Sequence, residues 1–417
     1  MTWLHTWCGL LLGWLLYTIF VTGTASYYRP EITQWMQPEL RPHVASPTLL
    51  LERALGEIRH QAPDATTIYI RFPGDREPGL HLNWETPDGQ RTVKVVDAET
   101  ARIEARDSRG GEFFYRYHFQ LQLPYPWGRF LACIAAAFML VALFTGIFAH
   151  RQFFKDFFTF RPSKPGTRSW LDFHNLSGVI ALPFYFMIAY SAQVTLLEMF
   201  MPWSRMATTP PPAVVESVQR AAPGTPEAPA MDPLPAAAVP LPIAAIADAY
   251  VQEKGDIPLA WLYATGVGTP AAHYSLGPSA SHKIPYNSRG TVNLDAAGTV
   301  IGGGTASGGA FTKIHDTFYG LHLARFAGPW LRGAFFFLGL LGTALVATGL
   351  LMWTVKRRKR QESLRGAGRA GFGYRLVESL NVATIVGFPL SLVTIFWANR
   401  LLPIGMEGRG DREVMIV

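Results

Sequence analysis

Five uncharged, mostly apolar runs punctuate the chain: residues 4–28, 130–149, 173–197, 333–355 and 379–399. None contains Asp, Glu, Lys or Arg. Each is close to the roughly 20 residues that span a bilayer as a helix. Helix is the expected form, because hydrocarbon offers no water to backbone N–H and C=O groups. Trp3, Tyr27, Tyr28, Trp127, Trp203, Trp330, Trp353 and Trp397 stand near the run ends, where amphipathic rings favour the headgroup layer. The fifth run carries Asn381 and Pro389, which weaken its helical pattern. The first run could be read as a signal peptide with TGTAS as a cleavage region, but no Lys or Arg precedes it, so a retained span is expected.

Between the runs the pattern changes period. Residues 48–61 put Leu50, Leu51, Ala54, Leu55 and Ile58 on one helical face. TIYIRF, GLHLNWE and RTVKVVD then alternate as three strands separated by turn clusters. Residues 208–242 are rich in Pro and Ala and read as a linker or long surface loop. A helix over 243–254 follows, with YATGV, HYSLG and TVNLD as strands. The expected fold is an α-helical membrane bundle of about five spans with two α+β domains. Its segments are a first span (1–28), a domain (29–129), a second span (130–149), a basic loop (150–172) and a third span (173–200). A second domain (201–329), a fourth span (330–355), a basic segment (356–378), a fifth span (379–402) and a tail (403–417) complete it.

Charge adds topology. The 417 residues carry a formal +7 and a mean hydropathy of +0.14, between a soluble protein and a pure bundle. Residues 150–170 hold five Lys/Arg against one Asp, and 356–375 hold eight against one Glu. The positive-inside rule puts both in the cytoplasm, with the N-terminus cytoplasmic and both domains outside. Basic residues concentrated this way suggest membrane topology rather than nucleic acid. Cys8 and Cys133 lie in apolar runs, which argues against a disulfide framework. Gly266-Val267-Gly268 and the run Gly302 to Gly309 lack the strand–turn–helix setting of a phosphate loop.

The two halves also repeat. His5-x-x-x-Gly9 opens the first span and His174-x-x-x-Gly178 the third. His118 precedes the second span and His322 the fourth; Pro-Trp pairs follow at 126–127 and 329–330, and Thr-Gly pairs at 145–146 and 348–349. This reads as a duplicated helix–domain–helix unit. Ionisable residues at span edges are functional candidates by default, and haem iron is commonly held by axial imidazoles. The repeat predicts His5 paired with His174 and His118 with His322, holding two haems at opposite faces. Gly9 and Gly178, one turn beyond their histidines, would clear room for a porphyrin. His150 is a weaker ligand candidate, and His315 ranks below His322. A lone histidine at a span end reads more readily as a polar interfacial residue; four at duplicated positions reverse that balance. His43, His60, His81, His273 and His282 read as solvated. With no nicotinamide or flavin fingerprint, electrons would come from membrane quinol or a cytoplasmic reductase.

The blocks LHTWCGLLLGWLL, RDSRGGEFFYRYHF, FKDFFTFRP, SWLDFHNLSGVIALPF, MPW, YGLHLARFAGPWLR, ATGLLMWTVKRR and LNVATIVGFPL resemble the PepSY-associated transmembrane family over nearly the whole chain. That resemblance implies a bacterial inner-membrane protein with periplasmic PepSY-like domains. Some members are ferric-siderophore reductases that bind b-type haem through membrane histidines. On this reading His5, His118, His174 and His322, with His150 as a further match, carry haem b. The substrate is a ferric siderophore, such as a hydroxamate or pyoverdine, reduced on the periplasmic side. Longer relatives continue past the fifth span with further helices, whereas this chain ends at Val417. Two other classes stay open. PepSY-type domains also serve as regulatory modules without catalysis. A transporter of iron or siderophore would need polar residues at mid-membrane, and these spans hold almost no charge at depth.

Overall fold

Helix α1 (Thr2–Ser26) is apolar around its whole circumference, a composition that suits burial on all sides. At 1.5 Å per residue its 25 residues reach about 37 Å, more than the roughly 30 Å of a hydrocarbon core. It is the most buried of the spans. The computed structural model describes residues 1–40, 46–74, 76–77, 79–98, 106–149, 167–201, 242–278, 283–285, 290–304, 310–365 and 371–417. Most of the basic loop, nearly all of the Pro/Ala-rich segment, His43, His150 and His282 lie outside these residues. The chain forms two compact units: a helical one (Met1–Met36, Ser108–Phe200, Phe318–Val417) and a sheet-bearing one (Gln37–Asp107, Met201–Thr317).

In the helical unit α1 is followed by α2 (Arg29–Met36). Of the described helices, four are long and apolar enough to cross a membrane, or five if one bent pair counts as a single span. The sheet unit supplies α3 (Pro47–Gln61), and the helical unit resumes with α4 (Gly110–Gln120) and α5 (Trp127–Ala149). The expected third span is not one straight helix. It divides into α6 (Thr167–Ile180) and α7 (Leu182–Thr195), bent by 67° at Ala181. Pro183 is the cause: it has no N–H for the carbonyl one turn back, and its ring crowds that position. A short α8 (Leu197–Phe200) follows.

Next along the chain come α9 (Ile243–Lys254) in the sheet unit and α10 (Ala310–Leu323), whose last turns from Phe318 belong to the helical unit. The fourth span, α11 (Pro329–Arg365), carries its basic stretch as a continuation of the helix. The fifth starts earlier than expected, as α12 (Phe372–Val382), a π-helical turn (Ala383–Gly387) and α13 (Phe388–Leu401). The turn precedes Pro389, which supplies no N–H; the Ile385 carbonyl accepts a hydrogen bond from the Tyr17 hydroxyl at 3.2 Å. Asn381 is also buried. It accepts from Trp14 Nε1 at 2.8 Å and donates to the Leu350 carbonyl at 3.2 Å. A short helix, α14 (Arg409–Met415), sits within the segment expected as a tail.

The sheet-bearing unit departs from expectation. The two strand-bearing segments do not close as separate sheets. Strands β1 (Thr67–Arg71), β2 (Leu80–Glu85), β3 (Arg91–Val96), β4 (Leu259–Thr265), β5 (His273–Pro278), β6 (Thr291–Leu294) and β7 (Val300–Gly304) form one sheet. Its order is β3-β2-β1-β4-β5-β6-β7, antiparallel throughout. The join is β1 with β4, from Thr67 opposite Thr265 to Arg71 opposite Trp261. Each segment alone would leave an unpaired strand edge there, and pairing the two removes both. One face is covered by Leu51, Leu55 and Ile58 of α3 and Ile246 and Tyr250 of α9, packed on Ile68, Ile70, Leu82, Leu262 and Leu276.

Replacing Tyr17 by Phe removes the donor to the Ile385 carbonyl and nothing else. We expect a loss of about 1 kcal/mol in reversible unfolding in mixed micelles, and an unchanged midpoint would show that this carbonyl needs no partner.

Candidate functional site: two histidine pairs

The four span-edge histidines meet in two pairs within the helical unit. His5 of α1 and His174 of α6 have ring centroids 6.4 Å apart, with planes at 81°. His118 of α4 and His322 of α10 are 5.9 Å apart, with planes at 28°. The pairing expected from the repeat is the pairing seen. The carriers of the second pair are not the spans: both rings come from short helices ahead of α5 and α11, and the His118 ring reaches α1 at Ile19. Ile19 lies 14 residues beyond His5, roughly 21 Å along the helix. An apolar core of Leu16, Phe20, Met139, Leu143, Phe184 and Tyr185 occupies the interior of the bundle.

Each imidazole rests on the same local device. A Ser or Thr in a helix turns its hydroxyl back onto carbonyls three and four residues earlier, and a Gly or Ala follows it. For His5 the device is Thr145-Gly146 on α5: His5 Nδ1 is 2.8 Å from the Ala142 carbonyl, and the Thr145 hydroxyl donates to Val141 and Ala142. For His118 it is Thr22-Gly23 on α1: Nδ1 is 2.9 Å from the Ile19 carbonyl, and Thr22 donates to Thr18 and Ile19. For His174 it is Thr348-Gly349 on α11, with Nδ1 3.0 Å from the Thr348 hydroxyl. For His322 it is Ser191-Ala192 on α7, with Nδ1 2.9 Å from the Ser191 hydroxyl.

These contacts fix the tautomer. A carbonyl only accepts, so Nδ1 of His5 and His118 must carry the proton. The Thr348 and Ser191 hydroxyls have one proton each, already given to Ala344 at 2.8 Å and Met187 at 2.6 Å, so they too accept from the ring. With Nδ1 carrying the proton, a neutral imidazole presents Nε2 as a lone pair, the form that binds metal. Burial pushes His118 below the ordinary imidazole value. It pushes His322 down to about 3, with the neighbouring His118 adding to the effect. Both rings stay neutral near pH 7.

Three further glycines lie directly against the rings. A Cβ on Gly23 would sit 2.5 Å from His118 Nδ1, one on Gly146 3.2 Å from His5 Cε1, and one on Gly349 3.4 Å from His174 Cε1. Gly9 has open space beside it, and Gly178 faces Leu345 of α11 at 3.5 Å. The Thr-Gly pairs at 145–146 and 348–349 were visible as repeat markers. Thr22-Gly23 and Ser191-Ala192 were missed, although the same two-residue signature would have found them.

The remaining described histidines do not join the pairs. His315 Nδ1 lies 3.3 Å from Asp316 Oδ1. His81 contacts Arg71 at 3.1 Å, and His60 and His273 are exposed. Among the described residues no cluster of three or more His, Cys, Asp or Glu could hold a metal ion.

Gly23→Ala should destabilise the protein by about 1–3 kcal/mol, the usual cost of overpacking. Gly349→Ala meets only ordinary contact and should be neutral or slightly stabilising, since Ala favours a helix interior over Gly by about 1 kcal/mol. Thermal unfolding of the two variants side by side decides this, and equal effects would mean that Gly23 is no seat for the ring.

The family model described as PepSY-associated TM region matches residues 2–356, which include all four histidines and end before α12. No curated protein matches the chain.

Proposed function

The chain belongs to the PepSY-associated transmembrane family, and on that premise we propose that it is a haem-binding membrane reductase of chelated ferric iron. The observation that carries this reading is the geometry of the two pairs. The ring centroids of the pairs stand 6.4 and 5.9 Å apart, a gap that would admit one metal ion between two imidazole nitrogens. Two ligands alone do not hold a bare ion, and no third ligand cluster stands among the described residues. A macrocycle that fills the other positions fits such a pair. The donor set agrees, with each ring held through Nδ1 by a neighbouring helix.

On this reading His5 and His174 would hold one haem b, and His118 and His322 the second. Bound there, haem supplies a reversible one-electron couple whose potential follows axial ligation, hydrogen bonding and burial. The chain's residues fix ring orientation, exclude water with an apolar interior and keep His118 and His322 uncharged. The basic stretches at 150–170 and 356–375 support a cytoplasmic side at the His5–His174 end. The matching order of elements in the two halves supports a duplicated unit, with the α+β segments in the periplasm of a bacterial inner membrane. A quinol or a cytoplasmic reductase would give the electron. The acceptor is Fe(III) held by hard oxygen donors, as in a siderophore; one electron converts it to Fe(II), which those donors hold less well.

Purified protein should show about two b-type haems per chain by spectrum and haem assay, with dithionite-reduced bands. His5→Ala or His174→Ala should remove one, and His118→Ala or His322→Ala the other. A haem-free protein, or a haem content untouched by all four substitutions, rules the reading out.

A further inference from the structure

Ser108, two residues ahead of α4, is the node of a buried polar network built by the end of α13 and by α14. Its hydroxyl donates to Glu413 Oε2 at 2.7 Å, and accepts from Asn399 Nδ2 at 3.2 Å and from the Gly110 N–H at 3.1 Å. Asn399 Nδ2 also lies 2.8 Å from Glu413 Oε1. Arg409 pairs with Glu413 and donates to the Asn399 carbonyl. Asn399, Arg409 and Glu413 are all fully buried.

A buried ion pair is costly unless its hydrogen bonds are complete; here both carboxylate oxygens of Glu413 have partners. A seven-residue helix such as α14 does not hold on its own, so its place depends on this network. Around the network Phe113, Phe114 and Tyr117 of α4 pack on Met36, Leu392, Ile395, Phe396 and Val414. Phe114 stacks on Phe396 at 5.7 Å, and Arg109 pairs with Asp411. On the far side the Gly111 N–H donates to the Thr33 hydroxyl at 2.9 Å. His118 follows Phe114 by one turn.

All of α12, α13 and α14 lie beyond the part of the chain that the family model matches. We propose that residues 399–417 are a positioning clamp for α4, holding it in the register that sets His118 against His322. The His5–His174 pair, carried by α1 and α6, does not lean on this clamp. The consequence for cofactor content rests on the haem reading above; the consequence for the position of α4 does not.

The test uses the full chain in detergent with Ser108→Ala, Glu413→Gln and a stop after Leu402. Hydrogen–deuterium exchange should rise by about tenfold or more at amides 110–120 while those of 2–15 and 167–180 stay protected. In haem-loaded protein the same variants should lose one haem signal, the one that His118→Ala also removes, and keep the one that His5→Ala removes. The idea is overturned by α4 protection that survives the truncation. It is equally overturned by loosening that spreads evenly to α1 and α6, for which the mild Ser108→Ala variant serves if the truncated chain does not fold. Haem-free wild-type protein would end the proposed function, and the exchange measurement would still decide the clamp.

Discussion

The bond from an imidazole Nδ1–H to an acceptor on a neighbouring helix governs the geometry of the helical unit's candidate site. A helix carbonyl that serves the N–H one turn on keeps a second lone pair, and a Ser or Thr hydroxyl that donates back onto its own helix still offers its oxygen as an acceptor. The small residue after it leaves room for a flat ring. Four such places, Thr22-Gly23, Thr145-Gly146, Ser191-Ala192 and Thr348-Gly349, receive the four rings. Ring orientation, tautomer and ring-to-ring distance all follow from where these places fall along α1, α5, α7 and α11.

An apolar interior makes the arrangement consistent. Burial disfavours charge on His118 and His322. A neutral ring with one nitrogen committed has one nitrogen to offer. On the proposed reading that nitrogen binds iron, and the surroundings that keep the ring neutral also set the burial on which a haem potential depends.

Much of this was legible in the chain. Uncharged runs of spanning length marked the membrane helices, because bilayer thickness leaves little choice of length. Period-two alternation marked β1, β2 and β3, and the apolar face of 48–61 marked α3. The bend at Ala181 and the π-helical turn before Pro389 followed from missing N–H groups, yet their form depended on which neighbour took the freed carbonyl. Three features were not legible. The β1–β4 join depends on edge pairing between segments about 190 positions apart. The helices α4 and α10 are too short and too mixed in polarity to resemble spans. The Arg409–Glu413 pair reads in sequence as an ordinary surface pair at i, i+4, and only the packing of α14 buries it.

The assembly logic of both units is the same. Each histidine pair takes one ring from the first half of the chain and one from the second, and the sheet closes only where β1 of the first half meets β4 of the second. Neither half completes a pair, and neither covers its own strand edge. Loss of either half therefore removes both pairs together. The asymmetry enters at the far end, where α12, α13 and α14 have no counterpart among the described elements of the first half. They brace α4, so the clamp supports the His118 side of the His118–His322 pair.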